Sequence, residues 1–191
     1  MDMIRIASIL PNSLNVNGPG LRYVIFAQGC NHKCNGCFNQ HTWDTDEGIL
    51  KPIDDIIDEI EKNKLITGVT FSGGDPLLQA KNFGTLARYI KAIKGRKIDI
   101  WCYTGFEFEQ LIQRAWFPVF DELLSKIDVL VDGRFEQNNI FTDEDIKHIT
   151  ELKRLGQEFN PYRGSKNQRV LDVKKSIKKK RSIEIPKYSI N

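Results

Sequence analysis

Cys30, Cys34 and Cys37 fall within eight residues, in the run Cys30-Asn-His-Lys-Cys34-Asn-Gly-Cys37. A disulfide framework would show an even set of spaced pairs in a secreted chain. Three clustered thiols read instead as metal ligands, because thiolates are soft donors that suit iron–sulfur clusters or zinc. A structural zinc site is closed by four protein ligands. With only three cysteines grouped here, the spacing favours a four-iron cluster in which one iron stays open to a substrate or cofactor. The alternative is a zinc site completed by His32 or His41. The fourth cysteine, Cys102, stands alone inside an apolar run and is expected to pack in the core.

A second candidate is Ser72-Gly73-Gly74-Asp75-Pro76. Consecutive glycines let backbone approach a ligand closely, and such backbone binds charged groups. In isolation an ordinary turn explains the pattern equally well. Its weight comes from following the next predicted strand after the cysteine loop.

The elements that must hold these residues alternate along the chain. Residues 22–28, 67–72, 98–103 and 127–132 are nearly continuous apolar, β-branched or aromatic runs, as expected of strands covered on both faces. Between them Pro52 marks a helix start, and Ile53, Ile56, Ile57 and Ile60 make one apolar stripe. Phe83, Leu86, Ala87, Ile90 and Ile93 repeat the pattern up to Gly95. A third helix is expected from about Glu107 through Ala115, with Pro118 interrupting before Leu123 and Leu124. Strand–helix alternation predicts right-handed βαβ units and a parallel sheet or barrel, whose sites collect beyond the carboxyl ends of the strands. The cysteine loop, the Gly-Gly-Asp-Pro turn, Thr104-Gly105 and Gly133-Arg134 each follow a strand and should converge on one face.

Residues 136–160 form an excursion, with a helix expected to start at Thr142 and to end at Gly156, and His148 exposed on it. Trp43, Trp101 and Trp116 are most simply core or rim residues. Arg22, Arg134, Arg163 and Arg169 are candidates for contacts to a carboxylate-bearing ligand or to a partner, with a surface ion pair the competing reading for each.

The 191 residues suffice for one domain with a substantial core. Hydrophobic content of 40% and aromatic content of 10% argue against disorder. No apolar run approaches the ~20 residues of a membrane span, and Met1 to Arg5 has no signal-peptide character, so a cytoplasmic protein is expected. The net charge of +3 is unevenly spread: residues 173–191 hold seven Lys/Arg and one Glu, leaving residues 1–172 mildly acidic. That body gives no reason to expect a nucleic-acid face. The basic end, residues 173–191, is expected to be solvated and mobile, or to dock on an acidic partner surface.

The three-cysteine spacing followed by a Gly-Gly-acidic-Pro turn resembles the radical S-adenosylmethionine (SAM) enzymes. More specifically, the chain resembles the activating proteins of anaerobic ribonucleoside-triphosphate reductase. The segments carrying this are Asn17-Gly18-Pro19-Gly20, Cys30 through Trp43, Phe71 through Leu77, Ile100 through Phe106, Asp128 through Phe135, and Tyr162-Arg163-Gly164-Ser165 with Asn167-Gln168-Arg169. The last is the most discriminating, and the match spans about residues 15–172 of the proposed 1–172 domain.

The resemblance implies a partial (β/α)6 parallel barrel of the radical SAM type, with a [4Fe–4S] cluster on Cys30, Cys34 and Cys37. SAM would bind the open iron and contact Gly36, Cys37 and Phe38, together with Ser72, Gly73, Gly74 and Asp75. The implied activity is reductive cleavage of SAM and formation of a glycyl radical on the reductase, with a flavodoxin-type protein as electron donor. Gly36 departs from the aromatic residue many radical SAM enzymes place before the third cysteine, and Phe38 would supply adenine packing instead. The alternatives are activation of another glycyl-radical enzyme, such as pyruvate formate-lyase, and a non-catalytic zinc or iron–sulfur module. The pyruvate formate-lyase activases typically carry Glu at the position of Asp75 and lack the Arg-Gly-Ser-x-Asn-Gln-Arg segment.

Overall fold

The four apolar runs become the parallel centre of a seven-stranded sheet. The computed structural model describes residues 2–113, 117–154 and 161–188. In chain order the elements are β1 (Met3–Leu14), β2 (Leu21–Ala27), β3 (Ile49–Pro52), α1 (Ile53–Lys62), β4 (Gly68–Gly73), α2 (Ala80–Ala92), β5 (Asp99–Tyr103), α3 (Phe108–Leu111), α4 (Phe117–Leu124), β6 (Val129–Asp132), α5 (Asp143–Arg154), β7 (Arg169–Asp172) and α6 (Val173–Lys179). The spatial strand order is β3-β1-β2-β4-β5-β6-β7. Strands β2, β4, β5 and β6 are mutually parallel, whereas β1 and β7 run antiparallel to their neighbours.

The fold is therefore mixed α/β, as expected, but the sheet is open and four of its strands are parallel, where six in a partial barrel were implied. The three unforeseen strands have weak signatures. β3 and β7 are four residues long, and the second half of β1 is largely exposed and contains Pro11. A half-exposed, Pro-containing strand offers little continuous apolar pattern.

Alternate residues of the parallel strands enter two separate apolar layers. On one face Ile25, Phe71, Ile100 and Leu130 meet Phe83, Leu86 and Ile90 of α2 and Leu123 and Leu124 of α4. The expected isoleucine stripe of α1 is packed in the same layer, its helix starting one residue after Pro52. Cys102 is fully buried there, as a core thiol, and burial holds its pKa well above the ordinary range. Pro118 does not interrupt a helix: it occupies the second position of α4, where its missing N–H is one the helix leaves unpaired anyway. The expected helix end at Ala115, Trp116, and the stop at Gly156 lie outside the described residues.

The other face is covered differently. Trp101, Val129, Val131 and Val170 are covered instead by Tyr162, Ile185 and Tyr188. The rings of Trp101, Tyr162 and Tyr188 form a triangle with every centroid pair 5.4 Å apart. The basic end is thus not a free tail through residue 188. The side chain of Asp172 caps α6, Glu184 bridges to Leu171, and the Ile185 amide donates to the Val170 carbonyl. Its cations, Lys174, Lys175, Lys178, Lys179, Lys180, Arg181 and Lys187, are all exposed. No helix among the described residues is long and apolar enough to cross a membrane.

Tyr188 is 6% exposed, so Tyr188→Ala removes an aromatic lid from the second layer. We expect a loss of about 3 kcal/mol, read as a lower urea midpoint, whereas Lys178→Ala, which alters an exposed side chain, should change it little.

Candidate functional site

The connections leaving β2, β4, β5 and β6 meet at the carboxyl ends of those strands, as the strand–helix order predicts. They line one open cavity of about 210 Å³. Cys30, Cys34 and Cys37 stand on one wall, Ser72 to Asp75 on a second, and Thr104, Gly105 and Gly133 on a third.

Backbone pairing explains how the cysteine loop is held. The amides of Gly29 and Cys30 donate to the carbonyls of Thr42 and Trp43 at 2.8 and 3.0 Å, closing the loop on itself. The Asn39 amide donates to Cys37 Sγ at 3.4 Å, and the Asn39 side chain donates to the Gly73 carbonyl at 3.3 Å. Burial raises the pKa of Cys30, so the apo loop keeps that thiol protonated. All three thiols are partly exposed to the cavity. Among the described residues no three His, Cys, Asp or Glu side chains converge on a point that could hold a single metal ion.

The paired glycines have a local reason independent of any ligand. Gly73 has φ +94, and a Cβ there would lie 2.6 Å from the β2 backbone at Phe26 and Ala27. At Gly74 a Cβ would lie 2.3 Å from the Gly29 carbonyl oxygen. Glycine lets the turn press against the segment entering the cysteine loop, where Gly74 and Asp75 donate their amides to Ala27 and Gly29, both at 2.8 Å. Gly36, with φ +70, brings the loop under the side chain of Gln137, so the start of the 136–160 excursion covers the cluster loop. Further along, Asp145, in a capping arrangement with Thr142, also pairs with Lys166 at 3.0 Å.

Asp75 is 1% exposed, and its carboxylate is shared by three loops. It accepts from the Leu77 amide at 3.0 Å, the Thr104 hydroxyl at 2.9 Å, the Gly105 amide at 3.1 Å and His32 Nε2 at 2.7 Å. His32 was considered above only as a zinc donor. Nothing in sequence spacing links residue 32 to residue 75; the sheet order does. His41 is exposed and takes no such place. Phe38 stands 77% exposed at the cavity mouth, its ring 5.1 Å from that of Phe135. Phe135, Tyr103, Gly164 and Gln168 also line the cavity and were not singled out as site residues.

The arginine candidates divide. Arg22 is fully buried at the opposite end of the strands, bonded to Thr70, the Val69 and Pro19 carbonyls and Asp99, with Trp101 beneath it. Arg163 bonds the Gln168 carbonyl, and Arg134 is exposed beside an adjoining polar pocket. Arg169 makes two ion pairs, bridging Asp132 at 2.5 Å and Glu109 at 2.7 Å.

Two comparisons place the chain. A family model described as a 4Fe-4S single cluster domain matches residues 16–171. Anaerobic ribonucleoside-triphosphate reductase-activating proteins are similar at 38% identity over 128 residues in Enterobacteria phage T4, covering 64% of this chain and 76% of the relative. The figures are 38% over 132 residues in Haemophilus influenzae, with 64% and 79% covered, and 36% over 129 in Escherichia coli K12, with 64% and 80%. The chain belongs to this family. Among solved structures, QueE from Escherichia coli aligns at TM-score 0.44 and 17% identity, over 80% of this chain and 77% of that one. The donor set fits the family's cluster: three thiols and one N–H···S bond face a common cavity.

Arg169 gives a pH dependence. Burial alone would raise the Glu109 pKa, but hydrogen bonds from Arg169 and Ser182 and the Arg169 charge bring it down from 4.5 to about 2. A folded pKa below the unfolded one contributes stability above the ordinary carboxylate range, lost as pH falls. The stability gap between wild type and Glu109→Gln should be full above about pH 5 and shrink toward pH 2, as urea midpoints across that range would show. Glu109 is nearly half exposed, so the gap is expected to be small.

Proposed function

We propose that the protein activates anaerobic ribonucleoside-triphosphate reductase as a radical SAM enzyme. The observation that carries this reading is the meeting of Cys30, Cys34 and Cys37 with the Ser72–Asp75 turn in one cavity, in a chain of this family. When bound there, the cluster and SAM supply one-electron cleavage of SAM to methionine and a 5′-deoxyadenosyl radical, which takes a hydrogen atom from a glycine Cα of the reductase.

The chain's own residues provide placement and shielding. Cys30, Cys34 and Cys37 hold the cluster and leave one iron position to SAM. Gly36, Cys37 and Phe38 form one side of the SAM site, and Ser72, Gly73, Gly74 and Asp75 the other. Phe38, exposed at the mouth and backed by Phe135, offers an apolar face for the adenine. In this reading the open sheet corresponds to the incomplete (β/α)6 barrel of the class, and residues 1–172 are the catalytic domain. The electron donor is a flavodoxin-type protein and the setting is the cytoplasm, with no nucleic-acid or membrane partner. The outward cations of α6 and its C-terminal turn are a docking element for an acidic surface of the reductase.

Anaerobic reconstitution should give a brown protein with about four irons per chain that forms 5′-deoxyadenosine from SAM under reduction and a glycyl radical on the reductase, seen by EPR. Cys34→Ala should abolish SAM cleavage and leave a soluble fold; a colourless zinc protein would end the reading. The docking element is tested by reversing Lys174, Lys178 and Lys179 to Glu, because deleting the segment would also strip Tyr188 from the sheet. Affinity for the reductase should fall at low salt and converge with wild type at high salt.

A further inference from the structure

We infer that His32 is a positioning residue, holding the cysteine loop and the Gly-Gly-Asp-Pro turn in register through Asp75. The inference rests on the function proposed above and adds a residue to it. His32 Nε2 lies 2.7 Å from Asp75 Oδ2, with side chains 8% and 1% exposed. The contact joins an imidazole nitrogen of the cysteine loop to a carboxylate oxygen of the turn after β4. The imidazole is also fixed in orientation. Its ring meets Phe106 edge-on at 4.6 Å, and its other flank lies where Gly105 has no side chain. A Cβ at Gly105 would fall 2.4 Å from His32 Cδ2. Glycine at 105 therefore serves two ends at once, admitting the ring and donating its own amide to the same carboxylate.

A carboxylate offers about four lone-pair sites. Leu77, Thr104, Gly105 and His32 each supply one donor to Asp75. Three of these belong to the loops after β4 and β5; His32 alone comes from the cysteine loop. Removing it leaves a buried carboxylate one donor short and leaves Cys30 to Cys34 without a side-chain tie to the opposite wall. Asp75 thereby acts on the SAM site through the spacing of two walls, which its His32 bond sets. Outer-shell groups of this kind typically govern ligand placement and affinity.

The test compares His32→Ala with His32→Gln, whose amide nitrogen can reach the carboxylate. In the cofactor-free protein, iodoacetamide should label Cys30 and Cys34 at least about fivefold faster in H32A, as expected for local release of the loop. Labelling in H32Q should stay within about twofold of wild type, as the same release would not occur, with thermal midpoints recorded alongside. In reconstituted protein, H32A should keep its iron yet need about tenfold more SAM to change the EPR spectrum of the reduced cluster, with H32Q again near wild type. Wild-type labelling rates and SAM response in H32A would overturn the inference, as would H32Q behaving like H32A. Should wild-type protein take up neither cluster nor SAM, the proposed function falls, while the labelling comparison still decides whether His32 holds the loop.

Discussion

A buried carboxylate must be paired, because an uncompensated charge out of water costs several kcal/mol. Asp75 imposes that constraint at the centre of this protein. It is met by groups on loops far apart in sequence, and they can meet only if β2, β4 and β5 lie side by side and point the same way. The sheet order and the site are in this sense one condition. The glycines around the carboxylate follow from it. Gly73, Gly74 and Gly105 are each placed where a Cβ would strike neighbouring backbone or the His32 ring, so they allow close approach of loops to one another before any ligand is considered.

The second apolar layer ties the basic end of the chain to the site. Tyr103 lies on the same side of β5 as Trp101, lines the cavity, and donates its hydroxyl to the Tyr162 carbonyl at 2.8 Å. Tyr162 in turn meets Tyr188 edge-on. Gly164 and Gln168, which also line the cavity, belong to the segment that Tyr162 anchors. The last described residues therefore brace a cavity wall from behind, while their lysines stand exposed. Burial of aromatic faces and exposure of charge on one short segment let it serve packing and surface chemistry together.

The parts legible in the sequence were those with local signatures. Strands β2, β4, β5 and β6, the stripes of α1 and α2, and the thiol spacing each depend on neighbours within a few residues. So did the convergence of four strand-end loops, because parallel strands place their carboxyl ends together. Contacts that depend on strand order were not legible. The bond between His32 and Asp75, the cover of Gln137 over Gly36 and the packing of Tyr188 on Trp101 join positions tens of residues apart, with no pattern in either partner. The short strands β3 and β7 escaped for a related reason: four residues carry too little periodicity to separate a strand from a loop. Pro118 misled because its effect depends on whether it falls inside a helix or at its first turn.

Arg22 shows why a family motif and a binding site need not coincide. It closes the Asn17-Gly18-Pro19-Gly20 segment, part of the family resemblance, yet its guanidinium is sealed beneath that segment at the amino ends of the parallel strands. Thr70 relays the contact, accepting from Arg22 Nε at 2.7 Å and donating to the Asn17 carbonyl at 2.7 Å. Gly68 must be glycine there, since a Cβ would lie 2.3 Å from the guanidinium. Arg22 and Asp75 thus sit at opposite ends of the same strands. Arg22 gathers the amino ends, where parallel α/β folds invest in stability, and Asp75 gathers the carboxyl ends, where they place chemistry. An arginine whose five N–H groups are held by three carbonyls, a threonine and the Asp99 carboxylate has no donors to offer a ligand, so the reach of this motif toward the cavity is indirect, through the alignment of β2, β4 and β5.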